Sequence, residues 1–283
     1  MKYFELNTGA SIPALGLGTY QLTPEEAENA VYHALKDGYR LIDTANAYAN
    51  EKAVGRGIKR SGVPREEIFL ETKLWPTVYE DERAVEKTLE RLDTDYIDLL
   101  LLHQPGGNFM RGYELMEQAV KAGKVRAIGL SNFSPRQINN ILARAEVKPS
   151  VVQLETHPYF PRKEQAALLK QNGILLQSWY PLGHGDKTLM EQPVFRLLGE
   201  KYGKTAVQVI LRWHIQMGYI VIPGSKNPTH IQDNFDVFDF ELSAADMAEI
   251  QKIDRGEPYF AMPDVDPNPT QPFPWVIEFE NQE

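Results

Sequence analysis

Four side chains with complementary acid–base chemistry recur along the first hundred or so residues. Asp43 closes the apolar run of YRLIDT, Tyr48 follows it, Lys73 sits in ETKLW and His103 ends YIDLLLLH. Thirty residues separate Asp43 from Lys73 and thirty more separate Lys73 from His103, about one strand–helix unit each. A phenol titrates near pH 10 and is a poor acid at neutrality unless a nearby cation favours its anion. Lys73 offers that cation, Asp43 a partner that holds it, and His103 a group to orient a carbonyl oxygen beside the Tyr48 hydroxyl. Such a set suits delivery of a proton to an oxygen while hydride reaches its carbon. Taken singly, Asp43 and Lys73 read equally well as a structural ion pair, Tyr48 as packing and His103 as a core histidine. All four, however, fall at matching ends of apolar runs.

Those ends are set by a regular series of elements. Eight β-rich runs recur: 15–20, 39–44, 68–74, 96–103, 125–132, 151–156, 174–180 and 219–225. Helix-like stretches lie between them, such as PEEAENAVYHALKDG, with Thr23 as cap, Pro24 in the first turn and Gly38 as the stop. Others are DERAVEKTLERL, YELMEQAVKAG, SPRQINNILARA, KEQAALLKQNG and TAVQVILRWHIQMG. Eight such strands alternating with helices imply an α/β fold, a closed (β/α)8 TIM barrel, whose active site forms where strands end in C-terminal loops. The fifth run ends at Ser131-Asn132 and the sixth near Gln153–Glu155, on the same rim. YFEL and SIPA, around Asn7-Thr8-Gly9, predict a hairpin able to plug the barrel bottom. After the eighth strand, THIQDNFDVF and SAADMAEIQKI read as helices. From Arg255 a Pro-rich tail with Tyr259, Phe260, Phe273, Trp275 and Phe279 reads as irregular. One barrel domain over 1–283 accounts for the whole chain.

Composition narrows the chemistry. With 42% hydrophobic and 24% charged residues the chain has a globular composition, and no run approaches a membrane span. The N-terminal MKYFELNTGASIP lacks the apolar stretch of a secretion signal, so the expected compartment is the cytoplasm. The absence of Cys excludes disulfides, thiolate catalysis and cysteine metal sites, so redox chemistry requires a bound cofactor. A net charge of −9 and scattered cations argue against nucleic acid and for a small-molecule partner, bound by a monomer. GLGTYQ and GRGIKR lack the third Gly of a Rossmann fingerprint, the six His show no metal-binding spacing, and Asn132-Phe133-Ser134 reads as an accidental sequon.

GYRLIDTANAYANEKAVGRGI, ETKLW, YIDLLLLHQP, IGLSNF and IPGSKNPTHIQDNFDVFDF follow one another in the order seen in aldo-keto reductases. Over nearly its whole length the sequence resembles that superfamily, most closely the bacterial branch containing the 2,5-diketo-D-gluconate reductases. The resemblance implies a barrel reductase of aldehydes or ketones, keto-sugar acids among them, using NADPH or NADH, with Asp43, Tyr48, Lys73 and His103 as the catalytic tetrad. It further implies that Gly18, Thr19, Tyr20 and Asp43 lie along the cofactor and that Ser131, Asn132 and Gln153 hold its carboxamide. Trp179 would stack on the nicotinamide and Leu182 lie along the pyrophosphate. Gly224, Ser225, His230, Asp233 and Asn234 would meet the adenosine end. The substrate would contact Tyr20, Tyr48, Trp75, His103, Gln104 and Asn108.

The sequence departs from the family pattern at Gly224 and His230, where a Lys and an Arg normally meet the 2′-phosphate of NADP, which points to use of NADH; Lys226 is the nearby cation able to compensate. A third departure, Gln104 in place of a Trp, makes one pocket wall smaller and more polar. Two rival readings use the same residues: a lyase forming a Schiff base on Lys73, and a cofactor-binding auxiliary protein without catalysis.

Overall fold

The computed structural model describes residues 1–260 together with Phe279 and Gln282. The chain opens with an antiparallel hairpin, β1 (Tyr3–Glu5) and β2 (Ser11–Pro13), paired so that Phe4 faces Ile12 across the Asn7-Thr8-Gly9 turn. Eight parallel strands follow in the order of the chain: β3 (Leu17–Gly18), β4 (Leu41–Asp43), β5 (Phe69–Leu74), β6 (Ile97–Leu102), β7 (Val125–Ser131), β8 (Val151–Glu155), β9 (Leu175–Trp179) and β10 (Ile220–Val221). The sheet closes on itself. Leu15 and Gly18 bridge Val221 and Gly224, and the N–H groups of Gly16 and Gly18 donate to the carbonyls of Val221 and Pro223. The (β/α)8 barrel and its hairpin are as expected; the first and last strands are shorter than their apolar runs.

Each predicted helix forms. The first, Pro24–Lys36, is held by a capping box in which the Thr23 hydroxyl accepts from the Glu26 N–H and the Glu26 carboxylate accepts from the Thr23 N–H. Three helices, Glu51–Ser61, Lys187–Met190 and Pro193–Tyr202, are not among the stretches read from periodicity. The first contains Gly55 and Gly57, poor helix formers, yet a Cβ on Gly55 would lie 2.5 Å from the Leu92 carbonyl oxygen. Close packing of neighbouring helices overrides propensity there.

Side chains alternate in and out along each strand, so the barrel interior is built in layers. Its bottom is apolar: Leu41, Phe69, Leu99, Ala127, Val151 and Ile220 cluster with Leu6 and Ile12 of the hairpin. Asn7 ties the hairpin there by donating to Pro149 O and accepting from the Ser150 hydroxyl. One step up, the inward positions become polar, and this change of layer creates the site. Of the aromatic tail, Tyr259, Phe260 and Phe279 are described, whereas Phe273 and Trp275 lie outside the described residues. No helix among the described residues is long and apolar enough to cross a membrane.

Candidate active site

Asp43 ends β4 and Lys73 lies near the end of β5; the Lys73 ammonium donates to Asp43 Oδ1 at 2.5 Å and to Thr44 O at 2.8 Å. Lys73 is fully enclosed and Asp43 almost so, which answers why an acid closes an apolar strand: it is one half of a buried pair. Tyr48 lies on a 3-10 turn just above, with the Lys73 nitrogen 4.9 Å from its ring centre. His103, immediately after β6, meets the Tyr48 ring edge-on at 5.5 Å and the Trp75 ring at 5.0 Å. The four side chains form one continuous group at the C-terminal rim.

Their electrostatics suit proton donation. Burial pushes the Tyr48 hydroxyl well above the ordinary phenol range, outweighing the pull of Lys73, so the proton is in place at neutral pH. Burial alone would discharge Lys73, but the Asp43 carboxylate in contact with it raises it, so the ammonium persists. Burial, helped by the Lys73 charge, holds His103 well below its usual range as a neutral imidazole.

A cavity of about 770 Å³ opens over this group, inside the range of small-molecule sites. Its floor includes Asp43, Tyr48 and His103, with Trp75, Gln104 and Tyr20 on the walls. Ser131, Asn132 and Gln153 line it beside Trp179, and Gly18, Leu182, Gly224 and Ser225 continue it towards β10. Asn132 adopts φ 67°, a left-handed conformation that Asn tolerates; its amide donates to Ser131 Oγ and accepts the Trp179 indole N–H at 2.9 Å. Six expected positions are not on this wall. Lys73 lies beneath, enclosed under the Tyr48 ring. Thr19 is buried against Asp43 O and Asn50, because its side chain turns inward from the rim. Asn108 caps the helix Phe109–Lys121 and donates to Glu80, which commits it away from the cavity. His230, Asp233 and Asn234 belong to the helix Pro228–Phe235, which carries them outside the wall.

With that arrangement on the page, comparison with known proteins is decisive. The pattern that defines the aldo/keto reductase family matches residues 14–255. The chain belongs to that family. Among relatives of this aldo/keto reductase, the glyoxal reductase of Bacillus subtilis is 43% identical, covering 92% of this chain and 95% of its own. The morphine 6-dehydrogenase of Pseudomonas putida is 42% identical, covering 89% and 90%. A Bombyx mori aldo-keto reductase solved in complex with NADP superposes with a TM-score of 0.87 at 31% identity, covering 92% of this chain and 95% of that one. The protein is therefore an oxidoreductase, a carbonyl reductase. A Schiff-base lyase is not favoured, since Lys73 is sealed, charged and hydrogen-bonded, whereas an attacking amine must be free and uncharged.

Two acids of this reductase, Glu71 and Glu26, and the task of a third, Glu155, escaped the sequence reading. Glu71, two residues before Lys73 on the same face of β5, is a second buried acid in the group. Burial first and the Asp43 charge second push its carboxyl well above the usual range, against a smaller pull from Lys73. Glu26 also reaches the cavity wall, beside Ser225 and Lys226. Finally, Glu155, fully buried at the end of β8, accepts the main-chain N–H groups of Tyr259 at 2.5 Å and Phe260 at 3.1 Å. The Tyr259 hydroxyl donates to Asp186, and the Phe260 ring rests near Trp179 and Tyr180, where it becomes cavity wall. A buried acid two residues before or after a rim residue on one strand was the signal available for Glu71 and Glu155.

Proposed function

We propose that this protein reduces small aldehydes and ketones, dicarbonyls and keto-sugar acids among them, with a nicotinamide cofactor and with Tyr48 as the proton donor. One observation carries the reading: a protonated Tyr48 and a neutral imidazole meet at the floor of a single cavity, above an enclosed ammonium. The walls fit the cofactor. A carboxamide finds hydrogen-bonding partners in Ser131, Asn132 and Gln153 at one end, and the indole of Trp179 offers a flat face for a ring. Gly18 and Gly224 keep the far wall bare, where a Cβ on either would come within 3.1 Å of a main-chain oxygen.

A bound dihydronicotinamide supplies the hydride. The chain supplies the rest. As negative charge grows on the substrate oxygen, the Tyr48 hydroxyl gives up its proton, and the Lys73 ammonium beside the ring stabilises the phenolate left behind. Asp43 keeps that ammonium in register. Neutral His103 orients the same oxygen without competing as a stronger acid. Trp75, Gln104, Tyr20 and Phe260 enclose the substrate and limit its size.

NADH is accepted alongside NADPH, because Gly224 brings no cation and His230 stands outside the cavity wall. Initial rates with both cofactors across aldehydes, dicarbonyls and keto-sugar acids test the reading. Retention of NAD(P)H without consumption by any carbonyl would instead identify an auxiliary cofactor-binding protein.

A further inference from the structure

Beneath the rim, two carboxamides and two acids face one another inside the barrel. Asp43 stands in register with Glu71, and Gln153 with Gln177. The Gln153 nitrogen lies 3.1 Å from Asp43 Oδ1, 2.9 Å from Glu71 Oε1 and 3.0 Å from Gln177 Oε1. The Gln177 nitrogen donates to the other Glu71 oxygen at 2.8 Å. Both carboxamides thus turn their nitrogen ends towards Glu71. The Gln153 oxygen has no partner among the described residues, and Gln153 lines the cavity.

We propose that Glu71 is a positioning residue that fixes the polarity of Gln153, so that the cavity meets its carbonyl oxygen, an acceptor matched to a carboxamide N–H. The inference rests on the nicotinamide reading above. A carboxamide is nearly symmetric in shape, and which end points where is decided by its partners. Each Glu71 oxygen accepts one amide N–H, Oε1 from Gln153 and Oε2 from Gln177. By holding the Gln177 nitrogen it also aims the Gln177 oxygen at Gln153, so the orientation is enforced twice. Asp43 cannot enforce it alone, because the same Oδ1 already takes the Lys73 ammonium at 2.5 Å. Without Glu71 the Gln177 nitrogen loses its acceptor and turns towards Gln153. Two donors then oppose each other, and Gln153 relieves this by turning its oxygen inward and its nitrogen to the cavity.

The test is a ratio of dissociation constants, measured by quenching of intrinsic tryptophan fluorescence. The ligands are NAD⁺ and NADP⁺ and their 3-acetylpyridine analogues, in which a methyl group replaces the carboxamide nitrogen. The wild type should prefer the natural dinucleotides by roughly tenfold, the effect of one buried hydrogen bond left unmade. In Glu71→Leu the ratio should fall to about one. Glu71→Gln keeps the size but holds only one amide by its oxygen, so its ratio should fall at least about threefold; it carries the test should the Leu variant not fold. General loosening of the barrel weakens natural and analogue dinucleotides together and leaves the ratio unmoved. An unchanged ratio with tight binding overturns the role of Glu71 alone; no binding of any dinucleotide by the wild type overturns the cofactor reading, and this inference with it.

Discussion

Lys226 and Glu26 form an ion pair of 2.8 Å on the cavity wall, beside Gly224 and Ser225. The cation that stood to replace the missing Lys and Arg is therefore already paired with a carboxylate. Glu26 comes from the first turn of the helix Pro24–Lys36, two hundred residues earlier, where its other oxygen completes the capping box. An anion at this position repels a phosphate and suits a neutral ribose hydroxyl.

Cofactor choice follows from that pair. Wild-type kcat/KM for NADH should equal or exceed that for NADPH. Glu26→Gln preserves the capping box, since Gln serves at that position, but frees Lys226; the ratio should move towards NADPH by roughly tenfold, the effect of one charge-assisted contact. Adding His230→Arg should move it no further, because that side chain stands off the wall. Gly224→Lys is a poorer probe, since its Cβ would press on the Gly18 carbonyl oxygen at 3.1 Å. A strong NADPH preference in the wild type, insensitive to Glu26→Gln, would place the determinant elsewhere.

Tyr48→Phe should retain the fold and dinucleotide binding while losing about a hundredfold or more in carbonyl reduction, the usual worth of a positioned general acid. Fluorescence titration beside initial rates separates the two effects, and near-normal turnover would remove Tyr48 from its role.

Lys73→Met should reduce both activity and stability. It removes the charge that steadies the phenolate and strands Asp43 in an enclosed site, a loss of about 3–5 kcal/mol for one partner of a buried pair. Asp43→Asn combined with Lys73→Met should restore much of the thermal stability but none of the activity.

Glu71 makes stability depend on pH. Its carboxyl titrates higher in the folded chain than in the unfolded one, so the folded state binds the proton more tightly. Its contribution is complete below about pH 4.5 and is lost as pH rises towards the folded value. Glu71→Gln cannot ionise, so its melting temperature relative to wild type should climb between pH 5 and 8. Any constant effect of altered hydrogen bonding cancels in that slope, and a flat difference would mean that the buried acid is charged throughout.

Phe260 should set substrate size. Phe260→Ala opens the part of the wall that its ring lines, and relative kcat/KM for aromatic against two-carbon aldehydes should shift by roughly tenfold at little change in melting temperature. Equal changes for all substrates would make the ring packing material only.

The barrel and the meeting of four side chains on it were legible because one physical regularity, the length of a strand–helix unit, delivers Asp43, Lys73 and His103 to one rim. Glu71 and Gln177 were illegible for the converse reason: inside an apolar strand an acid or an amide looks tolerated, and only register across the barrel shows that the two meet. The capping role of Asn108 was illegible as well, because loop proximity to His103 does not tell which way a side chain turns. Lys226 was readable as a cation but not as a spent one, since its partner lies far away in sequence.

Glu155 holds the Tyr259–Phe260 segment by peptide N–H groups, which every amino acid except proline possesses. The grip is therefore blind to side-chain identity. Residue 260 is free to vary in size and polarity while the chain returns to the same place on the rim. Anchoring and recognition reside in different atoms of that one residue, so a lineage can exchange one substrate for another there without first having to reinvent the attachment.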